Sequence, residues 1–269
     1  MVDSTGCVTI YKYTTSTSKE PAVDFQTTCN IELVSTHQVF AKDLLILSFN
    51  WFPVESDDTS RLPVMAVTLS DGSLHILRFT DRSFTKIEHL NDSEPLQTHA
   101  IGPKYAEQPM QAWCCSWVRW GDTSSNSTST SILTGGDDSK IRHLSLSYPM
   151  PDLPSSALEF QEDTSAYPTV FKPHDYGVTA ILPLQLPGEF SNMPPLLLTG
   201  GYDDHVKLHG PEGFPKSTTA RLKVLSELNL GGGVWKLKLV NHEFSHEGGI
   251  AARYQILASC VSGTLNMEY

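Results

Sequence analysis

Three stretches of this sequence bring together residue types that could do chemistry. The first is Lys172-Pro173-His174-Asp175-Tyr176-Gly177-Val178, and the second is Gly200-Gly201-Tyr202-Asp203-Asp204-His205. Their order lets His174 meet Asp203. An imidazole bonded to a carboxylate either pins a loop down or is oriented as a general base, and the residue types serve both roles. The third stretch is Gly231-Gly232-Gly233-Val234-Trp235. Three consecutive glycines cost chain entropy and mark either backbone freedom or a close approach that a side chain would block. Such a loop can aim amides at an oxyanion or make room for a neighbouring loop. It is no phosphate loop, because no Lys-Ser/Thr follows and the strand–helix setting is missing.

The elements that must hold these residues are hairpins. Leu196 to Thr199 reads as a strand, Gly200 to Asp204 as a tight turn and His205 to Leu208 as a second strand. Copies follow at Ile132 to Leu144, Val64 to Leu77 and Ile256 to Met267. Aligning the turns makes Gly6, Gly72, Ser139, Asp204 and Gly263 equivalent, roughly 60 to 67 residues apart against ~40–45 for a plain WD40 unit. The surplus falls in Ser/Thr- or Pro-rich inserts such as Asp122 to Ser131, Tyr148 to Pro168 and Pro183 to Pro195. An apolar strand precedes each hairpin, at Leu44 to Phe52, Ala112 to Trp120, Gly177 to Leu186 and Gly233 to Val240.

That pattern predicts an all-β fold, a WD40-type β-propeller in one domain over residues 1–269. No window carries a sustained helical repeat. Met1 to Tyr13 matches the turn and third strand of a blade and the last hairpin ends at Met267, so about four and a half blades are expected where a closed ring has around seven. Gln38 to Phe79 reads as a complete blade whose Asp71 bonds amides in its own turn. Trp113 and Trp117 share a strand face by alternation, with Trp120 opposite, and read as inter-blade core. In WD blades the second Asp of a Gly-Gly-Asp-Asp turn bonds a His from the loop before the blade. Asp138 is therefore structural by default, and Asp137 is open to either role. His209 and Leu144 stand where such blades carry Trp.

Bulk composition narrows the function. A net charge of −11 argues against a nucleic-acid surface, which would need clustered Lys and Arg. The five cysteines have no CxxC spacing and read as reduced thiols in a cytoplasmic protein. Cys114 and Cys115 are adjacent in a strand, point to opposite faces and cannot share a metal, so no metal is expected. The glycosylation triplets at Asn91 and Asn126 carry no weight without a secretory leader, and no apolar run is long enough to span a membrane.

The set AWCCSW at Ala112 to Trp117, ILTGGDDSKIR at Ile132 to Arg142, HDYGVTAI at His174 to Ile181, LLTGGYDDHVKL at Leu197 to Leu208 and LGGGVWKLK at Leu230 to Lys238 resembles the WD-repeat diphthine methyl esterases of diphthamide biosynthesis. The resemblance implies hydrolysis of the methyl ester of diphthine, a modified histidine of translation elongation factor 2, with that factor as protein partner and no cofactor. Without a Gly-x-Ser-x-Gly elbow, a serine hydrolase on an α/β sheet is excluded. The catalytic candidates are His174 with Asp175 or Asp203, with amides near Gly232 and Gly233 for the oxyanion. Trp235 or Tyr202 offers a face to the trimethylammonium, and Asp137, Asp204 and His205 are expected around the same substrate site. A non-catalytic WD40 scaffold that presents its rim to protein partners is the alternative.

Overall fold

A computed structural model describes residues 5–18, 26–53, 62–90, 94–101, 108–120, 129–146, 170–186, 193–212, 221–245, 251–261 and 263–268. Much of the Ser/Thr- and Pro-rich inserts lies outside them, as do Asn91 and Asn126. The chain opens with a hairpin of β1 (Cys7–Ser18) and β2 (Gln26–Gln38). An antiparallel sheet follows, in the order β3 (Ile46–Trp51), β4 (Val64–Leu69), β5 (Ser73–Phe79) and β6 (Ile87–His89), with β7 (Gln97–Thr98) also paired to β5. After the short pair β8 (Ala100–Ile101) and β9 (Gln108–Pro109) comes a second sheet of β10 (Ala112–Trp120), β11 (Ser129–Gly136), β12 (Ile141–Leu146) and β13 (Val170–Phe171). The third is β14 (Val178–Leu184), β15 (Leu196–Gly201), β16 (His205–Pro211) and β17 (Leu222–Asn229), and the fourth is β18 (Val234–Ser245), β19 (Ala251–Cys260) and β20 (Gly263–Glu268). No described residue is helical. The architecture is an incomplete WD40-type propeller: half a blade, three four-stranded blades and a three-stranded one among the described residues.

Successive blades bury apolar side chains against each other, and strand alternation sends neighbouring residues to different interfaces. Val8 packs with Met65, Val67 and Leu69, whereas Val64 and Ala66 of the same strand pack with Cys115, Trp117 and Ile132. Cys114, Val118 and Leu133 face Val178 and Leu197 of the third blade, and Ala180 and Leu198 face Val234, Ile256 and Ala258 of the fourth. The middle strands are therefore buried on both sides, which explains continuous apolar runs such as β4 and β15. The aligned turn residues share one backbone state: Gly6, Gly72, Ser139 and Asp204 have φ of 68°, 85°, 61° and 64°.

The first strands β3, β10, β14 and β18 touch in succession around a channel of about 360 Å³, lined by residues 47–50, 113–116, 179–182 and 235–237. Each carries a register shift at its second residue, which leaves Leu47, Trp113, Thr179 and Trp235 as bulges. This corrects the alternation argument. Trp117 is buried against Phe52 and donates to the Asn50 carbonyl, whereas the bulge re-aims Trp113 away from that interface. Two other expectations change. The first full blade runs on past Phe79 to β6, with Gln38 in the preceding hairpin, and β15 extends through Gly201, so the turn is Tyr202-Asp203-Asp204. Cys114, Cys115 and Cys260 are buried, with burial holding the Cys115 thiol up at about 12, but Cys7 is half-buried and Cys29 exposed.

Candidate functional site

His174 lies in the loop ahead of β14, and its Nδ1 is 2.8 Å from Asp203 Oδ1. Its Nε2 is 2.8 Å from Thr199 Oγ1, which lies 2.9 Å from His209 Nε2. With Asp203 accepting at Nδ1–H, the neutral ring accepts the Thr199 hydroxyl proton at Nε2, and His209 must then donate to the Thr199 oxygen. Aspartate, histidine and hydroxyl in series have the layout of a nucleophilic relay. Burial decides against that use, since His174 is 1% exposed and Thr199 0%. The second blade repeats the arrangement, with His99 Nδ1 2.8 Å from Asp138 Oδ1 and His99 Nε2 2.9 Å from Thr134 Oγ1. A feature present in two consecutive blades belongs to the blade, and it identifies His99 as the partner of Asp138. His209 fills the place of the usual Trp by supplying the same N–H.

The surrounding electrostatics agree with an anchor. Burial holds the His174 ring below its ordinary pKa, although Asp203 pulls the other way. Burial would raise the Asp203 carboxyl, but the Asp175 amide, His174 and the His205 amide outweigh it and hold it low. Burial brings His209 down to about 4, helped by His174 and Lys207. Asp175 is exposed, and its backbone staples the loop: its N–H donates to Asp203 Oδ2 at 3.0 Å and its carbonyl accepts from Ser139 Oγ at 3.2 Å.

The groups that solvent reaches gather at the channel mouth. Trp113 and Trp235 come from bulges two blades apart, with Thr179 at the equivalent position between them. That residue is small, and its hydroxyl turns into the Val234 carbonyl, so nothing bulky separates the two indoles. Tyr202 enters from the β15–β16 turn. The rings are mutually edge-to-face: Trp113 and Tyr202 at 6.2 Å and 90°, Trp113 and Trp235 at 5.9 Å and 81°, Tyr202 and Trp235 at 5.6 Å and 84°. Three perpendicular rings make a box corner. Asp137 stands at its edge, accepting the Trp113 Nε1 proton at 2.5 Å. Burial, then the Asp137 charge, raises the Tyr202 phenol above its ordinary value, so it stays protonated.

Glycines make the corner possible. A Cβ on Gly177 would lie 3.1 Å from both Asp137 Oδ1 and Tyr202 Cδ2, and one on Gly233 would lie 3.2 Å from Tyr202 Cδ1. Gly233 thus admits a neighbouring side chain, as one branch of the sequence argument had it. Gly231 has φ of +70° with open space around it and donates its amide to Asn229 at 2.8 Å. Gly232 is half-buried between them. His205 turns to its own turn, with Nδ1 2.5 Å from the Asp203 carbonyl, and Asp204 accepts the Leu230 amide on its carbonyl at 2.8 Å. The structure therefore brings together Asp137, Tyr202, Gly233 and Trp235, and withdraws His174 and Asp203 beneath them. Sequence reasoning missed Trp113, because a one-residue bulge that reverses side-chain parity has no residue signature.

No family model matches the chain. It is 25% identical over 248 residues to the diphthine methyltransferase of Saccharomyces cerevisiae, an alignment covering 84% of this chain and 57% of that protein. The chain thus spans little more than half the length of this relative. Among solved structures it resembles Chaetomium thermophilum Sqt1 bound to the N-terminus of ribosomal protein L10, with 12% identity and a TM-score of 0.42 over 99% of this chain and 70% of that one. A second Sqt1 structure from the same organism gives 13% identity and a TM-score of 0.44 over 99% and 68%. Likenesses this loose carry no functional argument. The similarity that bears on chemistry is to an enzyme of diphthine methylation.

Proposed function

We propose that this chain carries the substrate site of a diphthine methyl ester hydrolase acting on the modified histidine of translation elongation factor 2. The observation that supports it most is the perpendicular ring set Trp113, Tyr202 and Trp235 with Asp137 at its edge. A trimethylammonium has no N–H to donate, so it is recognised by π-faces and charge. A cation seated in a corner of perpendicular rings lies at the centroid separation divided by √2, about 4 Å from each face and within cation–π reach. Asp137 is then the base beside the ester. Water oxygen adds to the carbonyl as Asp137 takes its proton, and collapse of the adduct expels the methoxy group, which leaves with that proton as methanol.

The burial of His174 favours a second reading, a scaffold that holds the methylated cation without cleaving it. Turnover of elongation factor 2 bearing diphthine methyl ester separates the two, read as loss of the ester methyl by intact mass. On the hydrolase reading Asp137→Asn lowers kcat by about 10²-fold, and Trp235→Ala raises KM. Wild-type protein that binds the factor and leaves the ester intact is the scaffold's outcome. An Asp137→Asn protein as fast as wild type removes Asp137 from the chemistry.

A further inference from the structure

We infer that the rim flanking the ring corner, Tyr176 on one side of Tyr202 and Val261 on the other, docks an extended basic polypeptide segment whose methylated cation enters the corner. The inference rests on the reading of the corner given above.

Single exposed apolar residues are ordinary, but these frame one ring. Tyr176 and Val261 are each 66% exposed and Trp235 45%. Gly177, next to Tyr176, approaches one edge of the Tyr202 ring, and Gly233 approaches the other. Val261 donates its amide to the Gly233 carbonyl at 2.9 Å, and Tyr202 donates to the Gly177 carbonyl at 3.0 Å. The Asp175 staples fix the same loop to the second-blade turn and to Asp203. The exposed side chains thus stand on backbone already ordered by hydrogen bonds, which lowers the entropic cost of binding.

Size and sign choose the occupant. A small quaternary ammonium fills the corner and cannot reach both Tyr176 and Val261, which lie off opposite edges of Tyr202. Whatever covers both is a longer chain that crosses the corner. Asp137, Asp175 and Asp204 belong to the loops of this rim, and the whole chain carries −11, so a basic segment is the complementary one.

The test is calorimetric titration of the whole chain with three probes. These are tetramethylammonium chloride, a short Arg/Lys-rich peptide with one central trimethyllysine, and the same peptide unmethylated. The trimethylated peptide should bind at least about tenfold more tightly than tetramethylammonium, and added salt should narrow the gap. In Tyr176→Ser/Val261→Ser, tetramethylammonium affinity should stay within about twofold while the peptide falls to the level of the small ion. Both positions are exposed, and a melting curve confirms that the double variant folds. A trimethylated peptide that binds no better than the small ion, or that the double variant holds as tightly as wild type, overturns the docking rim. Peptide binding through the rim with no response to tetramethylammonium or to trimethylation keeps the rim and overturns the ring corner.

Discussion

His174, Thr199 and Asp203 would form a competent proton relay if water could reach them, and their seclusion is what gives them another use. Thr199 uses its one proton toward His174 and its lone pair toward His209. Thr199→Val therefore strips two buried ring nitrogens of their partner with little change of shape. A loss of about 2–3 kcal/mol in urea unfolding is expected, since buried groups left unpaired cost their full desolvation. The tetrad also sets an acid response. His209 titrates at about 4 in the folded protein against 6.5 in an ordinary setting, so below pH 6.5 the unfolded chain takes up a proton that the fold refuses. Stability falls between those values, and His174 contributes in the same direction. Asp203 and Asp138, held low, keep their full contribution above the ordinary carboxylate range and lose it as pH falls through their depressed values. Replacing His209 with Trp keeps an N–H donor and removes one titrating group. The melting temperature of that variant should therefore vary less between pH 6.5 and 4 than that of wild type, and an unchanged slope would contradict the assignment.

At the scale of the element, bulge and turn decide what the strand order leaves open. The second residue of each first strand is a bulge, so Trp113 and Trp235 are presented at the channel mouth rather than buried between blades. Turns supply the remaining contacts, and two glycines there make opposite predictions. A Cβ on Gly201 would lie 2.8 Å from Cγ of the His174 ring, which is bonded at both nitrogens and cannot move. Gly201→Ala is expected to cost about 1–3 kcal/mol in chemical denaturation. Gly233→Ala would press on the Tyr202 ring at 3.2 Å, and that ring is half-exposed and able to shift. It should leave the melting temperature nearly unchanged and weaken tetramethylammonium binding several-fold. Much of this frame was legible. Hairpin turns repeat with positive-φ residues in register, and the order of His174 and Asp203 foretold their pairing. The face of Trp113 was not, because parity arguments fail across a bulge, and Asp137 was left undecided because its partner is that same Trp113.

Across the whole molecule, the core is divided into four apolar clusters, each between successive blades, and the channel they surround opens at the ring corner. The hairpin of β1 and β2 is the exception to burial. Its paired residues Tyr13 and Ile31 are 65% and 66% exposed, and Tyr11 and Leu33 are 43% and 58% exposed on the same face. Such a stripe favours self-association. Tyr13→Lys with Ile31→Glu should reduce concentration-dependent sedimentation while leaving ligand binding intact, since the hairpin belongs to the half-blade beside β3 and the ring corner is built from β10, β18 and the β15–β16 turn. Function was less legible than fold. Residue types pointed to a histidine–carboxylate pair, yet only burial separates an anchor from a base. The most direct measurement of the central claim is the intact mass of elongation factor 2 carrying diphthine methyl ester after incubation with wild-type chain, Trp235→Ala and Asp137→Asn. Loss of one methylene in mass with wild type, slowed in both variants, is the predicted result. Release of the methyl at equal rates by all three would contradict a site built on the ring corner.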